Sequence, residues 1–293
     1  MIKIEHLTKV YKGNITALHD VSLEIGTGMF GLVGPNGAGK TTLMRIIAGL
    51  LHWTAGRVEV NGYDIHTLKG KQAAKALLGY LPQELGLYPH LTGAEFLDYV
   101  AILKGVTHRQ QRQHQVQAVL EKVHLTEVAE RRLKTYSGGM KRRIGIAQAL
   151  IGNPQLIIVD EPTAGLDPEE RVRLRNLFSE LAENATVILS THIIEDISQS
   201  CHDLAIMYNG AVLFRGAPTE LIQKTRGQVW NIVTDGQRPN HGLNVVSMLQ
   251  LAQGTQYRVI GDAAAFPNAI PTEPSLEDGY IHLMSQTRDR GVV

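Results

Sequence analysis

The sequence predicts an α/β protein: a mostly parallel sheet with an antiparallel β-subdomain ahead of it, a helical insertion, and a small C-terminal accessory domain. Apolar runs, three of them ending in glycine or acid, recur at MFGLVG (29–34), LLGYLP (77–82), LIIVD (156–160), TVILST (186–191) and LAIMYNG (204–210). Runs that are apolar throughout suit strands covered on both faces. Between them lie helical patterns, KTTLMRIIAGLL after the first run, MKRRIGIAQALI before the third and PEERVRLRNLFSELAE before the fourth. That alternation is the rhythm of a parallel sheet.

Taken in order, the first sixty-odd residues hold short alternating pieces, IKIEHLTKVY, ITALHDVSLEI and GRVEVNGYDI, separated by turn residues. They read as antiparallel strands. From Leu91 to about Leu125 the pattern is helical, rich in Gln, His and Leu, with few strand signals. After about Gly216 the texture changes to strand-like pieces, QVWNIV and TQYRVIG, and a terminal SLEDGYIHLM segment. The expected division is residues 1–216, with the helical part at about 88–150, and residues 217–293.

Composition narrows the partners. The chain has 293 residues, 43% hydrophobic and 19% charged, and its 29 basic against 28 acidic residues leave a net charge of +1. A near-neutral balance gives no global field for gripping nucleic acid or an anionic membrane, so any polyanion must be bound locally. A single cysteine, Cys201, and an N-terminus without an apolar leader point to a reducing cytosol. No stretch approaches the apolar length of a membrane-spanning helix. The lysine–arginine run Lys141-Arg142-Arg143 reads as a solvated helix turn.

The chemistry starts at Gly34-Pro35-Asn36-Gly37-Ala38-Gly39-Lys40-Thr41-Thr42, which follows an apolar run and opens a helical one. This is the phosphate-loop pattern in its expected context, and it predicts a phosphate-loop NTPase. The glycines let the backbone wrap a triphosphate, Lys40 reaches its outer oxygens, and Thr41 offers a hydroxyl to Mg²⁺. A second acid is required, and LIIVD ends on Asp160 followed by Glu161. Ligand sites of such sheets lie at the strands' carboxyl ends. Asp160 is placed to hold the metal, and Glu161 to polarise the attacking water.

Further signals follow in a particular order. Gln83 closes GYLPQ, Ser137-Gly138-Gly139 opens a helix 23 residues before Asp160 (160 − 137), Ala164-Gly165-Leu166-Asp167 follows the acid strand, and Ser190-Thr191-His192 closes another strand. In this order and spacing the set resembles the nucleotide-binding subunits of ATP-binding-cassette (ABC) proteins, over about residues 1–216. The resemblance implies that Tyr11 stacks on adenine, Gln83 binds metal and water while facing a transport partner, Ser137, Gly138 and Gly139 form the signature, Asp167 is an inter-subunit acid, and His192 senses the γ-phosphate. Read singly, Tyr11 could instead pack on the small sheet, Gln83 cap a turn, His192 sit exposed at a strand end, and Ser137 simply cap its helix. Tyr136 and Met140 depart from the leucine and glutamine usual at the two ends of the signature.

The family resemblance also implies a working pair. The phosphate loop leaves the γ-phosphate open on one side, while the signature lies on another lobe, so a second chain docking head to tail would sandwich two ATP molecules. One cassette without a membrane segment resembles an energy subunit at the cytoplasmic face of the membrane, served by separate integral permease chains; no nucleic-acid partner is expected. GYLPQELGLYPHLTGAEFLDYVA and Ser275-Leu276-Glu277-Asp278 resemble the ATPases of ABC-2 type exporters, although Gly279-Tyr280 departs from their apolar pair. The alternative is a soluble cassette in translation or DNA repair, for which tandem cassettes or long heptad arms would speak. A regulatory module without turnover is a third reading, opposed by Lys40, Asp160, Glu161 and His192.

Overall fold

The structure is a computed structural model describing residues 1–163, 166–191, 193–239, 242–263, 266 and 268–289, with Arg288 and Asp289 described by backbone only. It folds as two compact units, residues 1–192 with 200–215, and residues 193–199 with 216–293.

The first unit begins with a four-stranded sheet in the order β2-β1-β4-β5, from β1 (Ile2–Tyr11), β2 (Ile15–Ile25), β4 (Ala55–Val60) and β5 (Tyr63–Asp64). All its pairings are antiparallel. The alternation seen in the sequence is the cause: Ile2, Ile4, Leu7, Leu18, Val21, Leu23, Val58 and Val60 turn inward and are buried.

The second sheet has six strands in the order β10-β9-β3-β8-β7-β6. They are β3 (Gly28–Val33), β6 (Leu78–Leu81), β7 (Leu156–Asp160), β8 (Thr186–Thr191), β9 (Asp203–Tyr208) and β10 (Ala211–Gly216). The β3–β8, β3–β9, β7–β8 and β6–β7 pairs are parallel, so β3, β7 and β8 end at one edge. Every residue of β7 and β8 is buried, as strands covered on both faces must be. Burying each such Ile, Leu or Val contributes about 1.5–3 kcal/mol, which anchors the edge from which the polar residues project. One apolar cluster joins the two sheets through α1 (Lys40–Ile47), whose Leu43, Met44, Ile46 and Ile47 face inward.

The remaining helices of this unit are α2 (Leu68–Ala76), α3 (Gly93–Leu103), α4 (Arg109–Lys122), α5 (Gly138–Leu150) and α6 (Pro168–Ala182). The expected helical insertion is α3 and α4. A reciprocal capping box starts α3: Glu95 N–H donates to Thr92 Oγ1 at 3.1 Å, and Thr92 N–H donates to Glu95 Oε2 at 2.8 Å.

The second unit contains α7 (Ile194–Ser198), α8 (Pro218–Gln223), β11 (Val229–Thr234), β12 (Asn244–Leu251), β13 (Gly254–Ile260), β14 (Ala269–Pro271) and α9 (Leu276–Asp289). Its sheet is antiparallel in the order β12-β13-β11-β14, over a small core of Ile232, Tyr257, Val259 and Ala263. Asp278 is fully buried there, accepting from Arg258 Nη2 at 2.6 Å and from Ser275 N–H at 2.6 Å.

Candidate functional site

The loop between β3 and α1 must reverse the chain in little space, and two glycines make that possible. A Cβ on Gly34 would stand 2.3 Å from the Met207 carbonyl oxygen. Gly39, the residue before α1, has φ +99, and a Cβ there would lie 2.6 Å from the Ala17 oxygen. No side chain caps α1. The first intrahelical bond is donated by the Leu43 N–H to Gly39 O at 2.9 Å, so the amides before it head the helix with positive dipole.

Lys40 folds back into this loop. It is 7% exposed, and its Nζ donates to Gly34 O at 2.6 Å and Pro35 O at 3.0 Å. Burial pushes its pKa down, opposed by the charges of Glu161 and Asp160. A cation so enclosed is electrostatically short of anion, and a triphosphate would supply it.

Thr41 and Asp160 meet across the sheet edge, Thr41 Oγ1 donating to Asp160 Oδ2 at 3.1 Å. Asp160 is 2% exposed. Burial raises its pKa above the ordinary carboxylate value, and the Thr41 hydroxyl and Lys40 charge pull the other way. A hydroxyl and a carboxylate are hard oxygen donors, and burial leaves the acid in want of a cation. Among the described residues no three His, Cys, Asp or Glu group to hold a metal alone. The pair therefore fits Mg²⁺, which takes one or two protein oxygens and fills the rest of its shell with water and substrate phosphate.

Glu161 is half-buried and has φ +48, a left-handed backbone that a residue with a side chain seldom adopts. Its N–H donates to Ser190 O at 2.9 Å, tying the turn to the end of β8. Strain of this kind collects at functional sites. Asn36, Gly37, Ala38, Gly39, Lys40, Thr41, Thr42, Gln83, Asp160 and Glu161, with Ala17, line one open cavity of about 400 Å³.

Tyr11 lies at the end of β1, 38% exposed, its hydroxyl 3.4 Å from Thr42 Oγ1 and its ring under Lys9 Nζ at 4.9 Å from the centroid. Ser137 stands at the start of α5, exposed with Gly138, and its Oγ accepts from Met140 N–H at 3.2 Å. Asp167 caps α6 through Oδ1, which accepts from Glu170 N–H at 2.9 Å. Neither Ser137 nor Asp167 lines the cavity that holds Lys40. His192, Ala164 and Gly165 lie outside the described residues.

One feature differs from the sequence reading. The run Lys141-Arg142-Arg143 is not a solvated turn: Lys141 is exposed, but Arg142 is 8% exposed, and Arg143 is half-buried with Nη1 donating to His124 O at 3.2 Å. A helix turns about 100° per residue, so three adjacent cations cannot share one face. Tyr136, where the signature usually has leucine, keeps a leucine-like burial and satisfies its hydroxyl by donating to Val128 O at 2.8 Å.

Comparison with known proteins agrees with this geometry. Residues 18–164 match the sequence model of the family described as ABC transporter. The linearmycin resistance ATP-binding protein LnrL of Bacillus subtilis is 39% identical over 231 residues, 78% of this chain and 72% of that one. An ABC transporter ATP-binding protein of Synechocystis is 32% identical over an alignment of 313 positions, covering 100% of this chain and 86% of its own. Among solved structures, the dimeric post-hydrolysis state of an ATP-binding cassette bound to ADP and phosphate superposes with a TM-score of 0.69 at 28% identity, covering 74% of this chain and 98% of that one. A phosphate loop joined to a strand-end acid, within a likeness that runs through most of the chain, makes this protein a member of the ABC transporter family and an ATP-hydrolysing nucleotide-binding subunit.

Proposed function

We propose that this chain binds Mg·ATP in the cavity between the β3–α1 loop and the end of β7, and hydrolyses it as half of a head-to-tail pair to power export by separate membrane subunits. One observation carries the reading: Lys40, Thr41, Asp160 and Glu161 line a single cavity although the last two are more than a hundred residues from the first two. Lys40 exchanges its Gly34 and Pro35 partners for phosphate oxygens, and the amides heading α1 hold the same group. Thr41 and Asp160 hold Mg²⁺, with Gln83 in reach of the same space. The metal, when bound, neutralises charge on the phosphates. Glu161 orients and polarises the attacking water, and Tyr11 offers a ring face to the base.

The exposed Ser137 and Gly138, with the half-buried Gly139, stay outside that cavity, which favours their use by a second chain. Asp167 would face the same partner. His192 is assigned the γ-phosphate through the resemblance alone. Residues 1–216 form the cassette in this reading and 217–293 an accessory domain. Export is supported by relatives named for linearmycin resistance and as a probable multidrug transporter ATP-binding protein. The permease in this reading is a separate polypeptide and the subunit works at the cytoplasmic membrane face, as suits relatives named as transporter ATP-binding proteins; among the described residues no helix is long and apolar enough to cross a membrane.

The test is sedimentation with and without Mg·ATP. Glu161→Gln should bind ATP, turn it over about 10²- to 10⁴-fold more slowly, and accumulate as a dimer. Lys40→Ala should neither bind nor dimerise. A Glu161→Gln protein that stays monomeric when saturated with Mg·ATP, alone and with its permease, would refute the paired arrangement.

A further inference from the structure

Arg142 has no part in the reading above, yet it is one of the few buried charges of the cassette, 8% exposed. Its hydrogen bonds run to main-chain carbonyls at two separate strand ends. Nη1 donates to Pro82 O at 3.3 Å and Gln83 O at 3.2 Å, just beyond β6. Nη2 donates to Asp160 O at 2.8 Å and to Glu161 O, and Nε to Pro162 O at 3.1 Å, at the end of β7. Burial lowers its pKa, while the charges of Asp160 and Glu161 hold it up. A guanidinium stays protonated under such pressure, and its planar fork keeps several donors at fixed angles.

The peptides it grips carry Gln83 and Glu161. Glu161 has the left-handed φ of +48, a conformation that persists only where its surroundings enforce it. Three of the Arg142 acceptors, the carbonyls of Asp160, Glu161 and Pro162, span that residue. Arg142 also lies on α5, the helix that Ser137 caps.

We infer that Arg142 is a positioning residue for ATP hydrolysis, one guanidinium setting the spacing between the Gln83 segment and the Glu161 turn. This rests on the roles given above to Gln83 and Glu161. Losing the fork would free the two segments to move separately without removing any group that touches phosphate. Turnover should suffer, and nucleotide affinity should not.

The experiment compares full-length Arg142→Met, Arg142→Lys, Gln83→Ala and Glu161→Gln, measuring ATP affinity and stoichiometry by calorimetry and kcat per nucleotide-binding site. Arg142→Met should lose about 10- to 100-fold in kcat per site. Its Kd for ATP should change by less than about 3-fold, the pattern of an interaction that acts after binding. Lysine carries charge but no fork, so Arg142→Lys should recover only part of the loss. A purely structural arginine would reduce the fraction of competent sites and leave kcat per site intact; that result overturns the inference. Wild-type kcat per site in both arginine variants beside a crippled Glu161→Gln overturns it too and leaves the site reading standing. Wild-type turnover in Glu161→Gln overturns the reading underneath. If Arg142→Met does not fold, Arg142→Lys decides: lowered kcat per site with unchanged Kd supports the inference, and unchanged kcat overturns it.

Discussion

The Thr41 hydroxyl donates a 3.1 Å hydrogen bond to the Asp160 carboxylate, joining the first turn of α1 to the end of β7 across 119 positions of sequence. The two halves of the proposed magnesium site thus lie within hydrogen-bond distance of each other. Burial leaves Asp160 with a raised pKa, which has an energetic consequence. The folded chain holds this proton more tightly than the unfolded one. Stability without nucleotide therefore falls as pH rises from the ordinary carboxylate value through the raised one, and the loss is complete above that interval.

Asp160→Asn removes this charge while keeping the shape. At neutral pH the nucleotide-free variant should melt at or above the wild-type temperature, and the acid-side rise in stability assigned to Asp160 should vanish. Magnesium-dependent ATP turnover should fall by about 10²-fold or more, the scale of losing one preorganised charge partner. Thermal unfolding from pH 4 to 8, paired with phosphate-release assays, checks both; unchanged turnover would remove Asp160 from the metal site.

Tyr11→Ala should raise KM for ATP several-fold with kcat unchanged, because a base-stacking ring binds ground and transition states alike. Tyr11→Phe should behave as wild type, since the contact of its hydroxyl with Thr42 is long at 3.4 Å. An unaltered KM in Tyr11→Ala would return the ring to packing.

Ser137→Asp separates two roles. Aspartate caps a helix as well as serine does, so stability should stay within about 0.5 kcal/mol of wild type. A carboxylate at the exposed start of α5 would repel a phosphate presented by a second chain. ATP-induced dimerisation in the Glu161→Gln background should then be lost, whereas Ser137→Ala should cost about 1 kcal/mol of stability through the missing cap. Dimers formed as readily by Ser137→Asp would show that this helix start meets no phosphate.

In the second unit, burial alone would raise the Asp278 pKa, but the Arg258 fork and the Ser275 donors outweigh it and hold the carboxyl below its ordinary value. The stability this contributes is present above the ordinary carboxylate value and lost as pH falls through the lowered one. Asp278→Ala should destabilise the unit by about 1–3 kcal/mol, because it leaves the half-buried Arg258 guanidinium only the Glu273 carbonyl as acceptor. Denaturant unfolding monitored at Trp230 is the measurement, and an unchanged midpoint would show that Arg258 finds water instead.

How far the sequence foretold this structure depended on the kind of signal. The strands at 29–34, 156–160 and 186–191 were readable because burial on both faces demands uninterrupted apolar runs, and the phosphate loop because its glycines answer steric needs no other residue meets. The turn of Arg142 inward was not readable, since a short basic run has no period that says which member faces the core. Nor was the left-handed backbone of Glu161, which tertiary contacts impose on a residue type with no preference for it. Among the weaker elements, β12 carries mostly exposed residues, and α2 has alanine, glycine and lysine in place of an apolar stripe. Both lacked the alternation or the apolar face by which such elements announce themselves.

Lys40 Nζ donates to the carbonyls of Gly34 and Pro35, so the loop that carries it is braced by its own side chain. Nucleotide arrival then becomes an exchange of acceptors within a ready mould. Little ordering entropy is charged to the binding step, and ATP's attraction is left free to draw a second subunit inward.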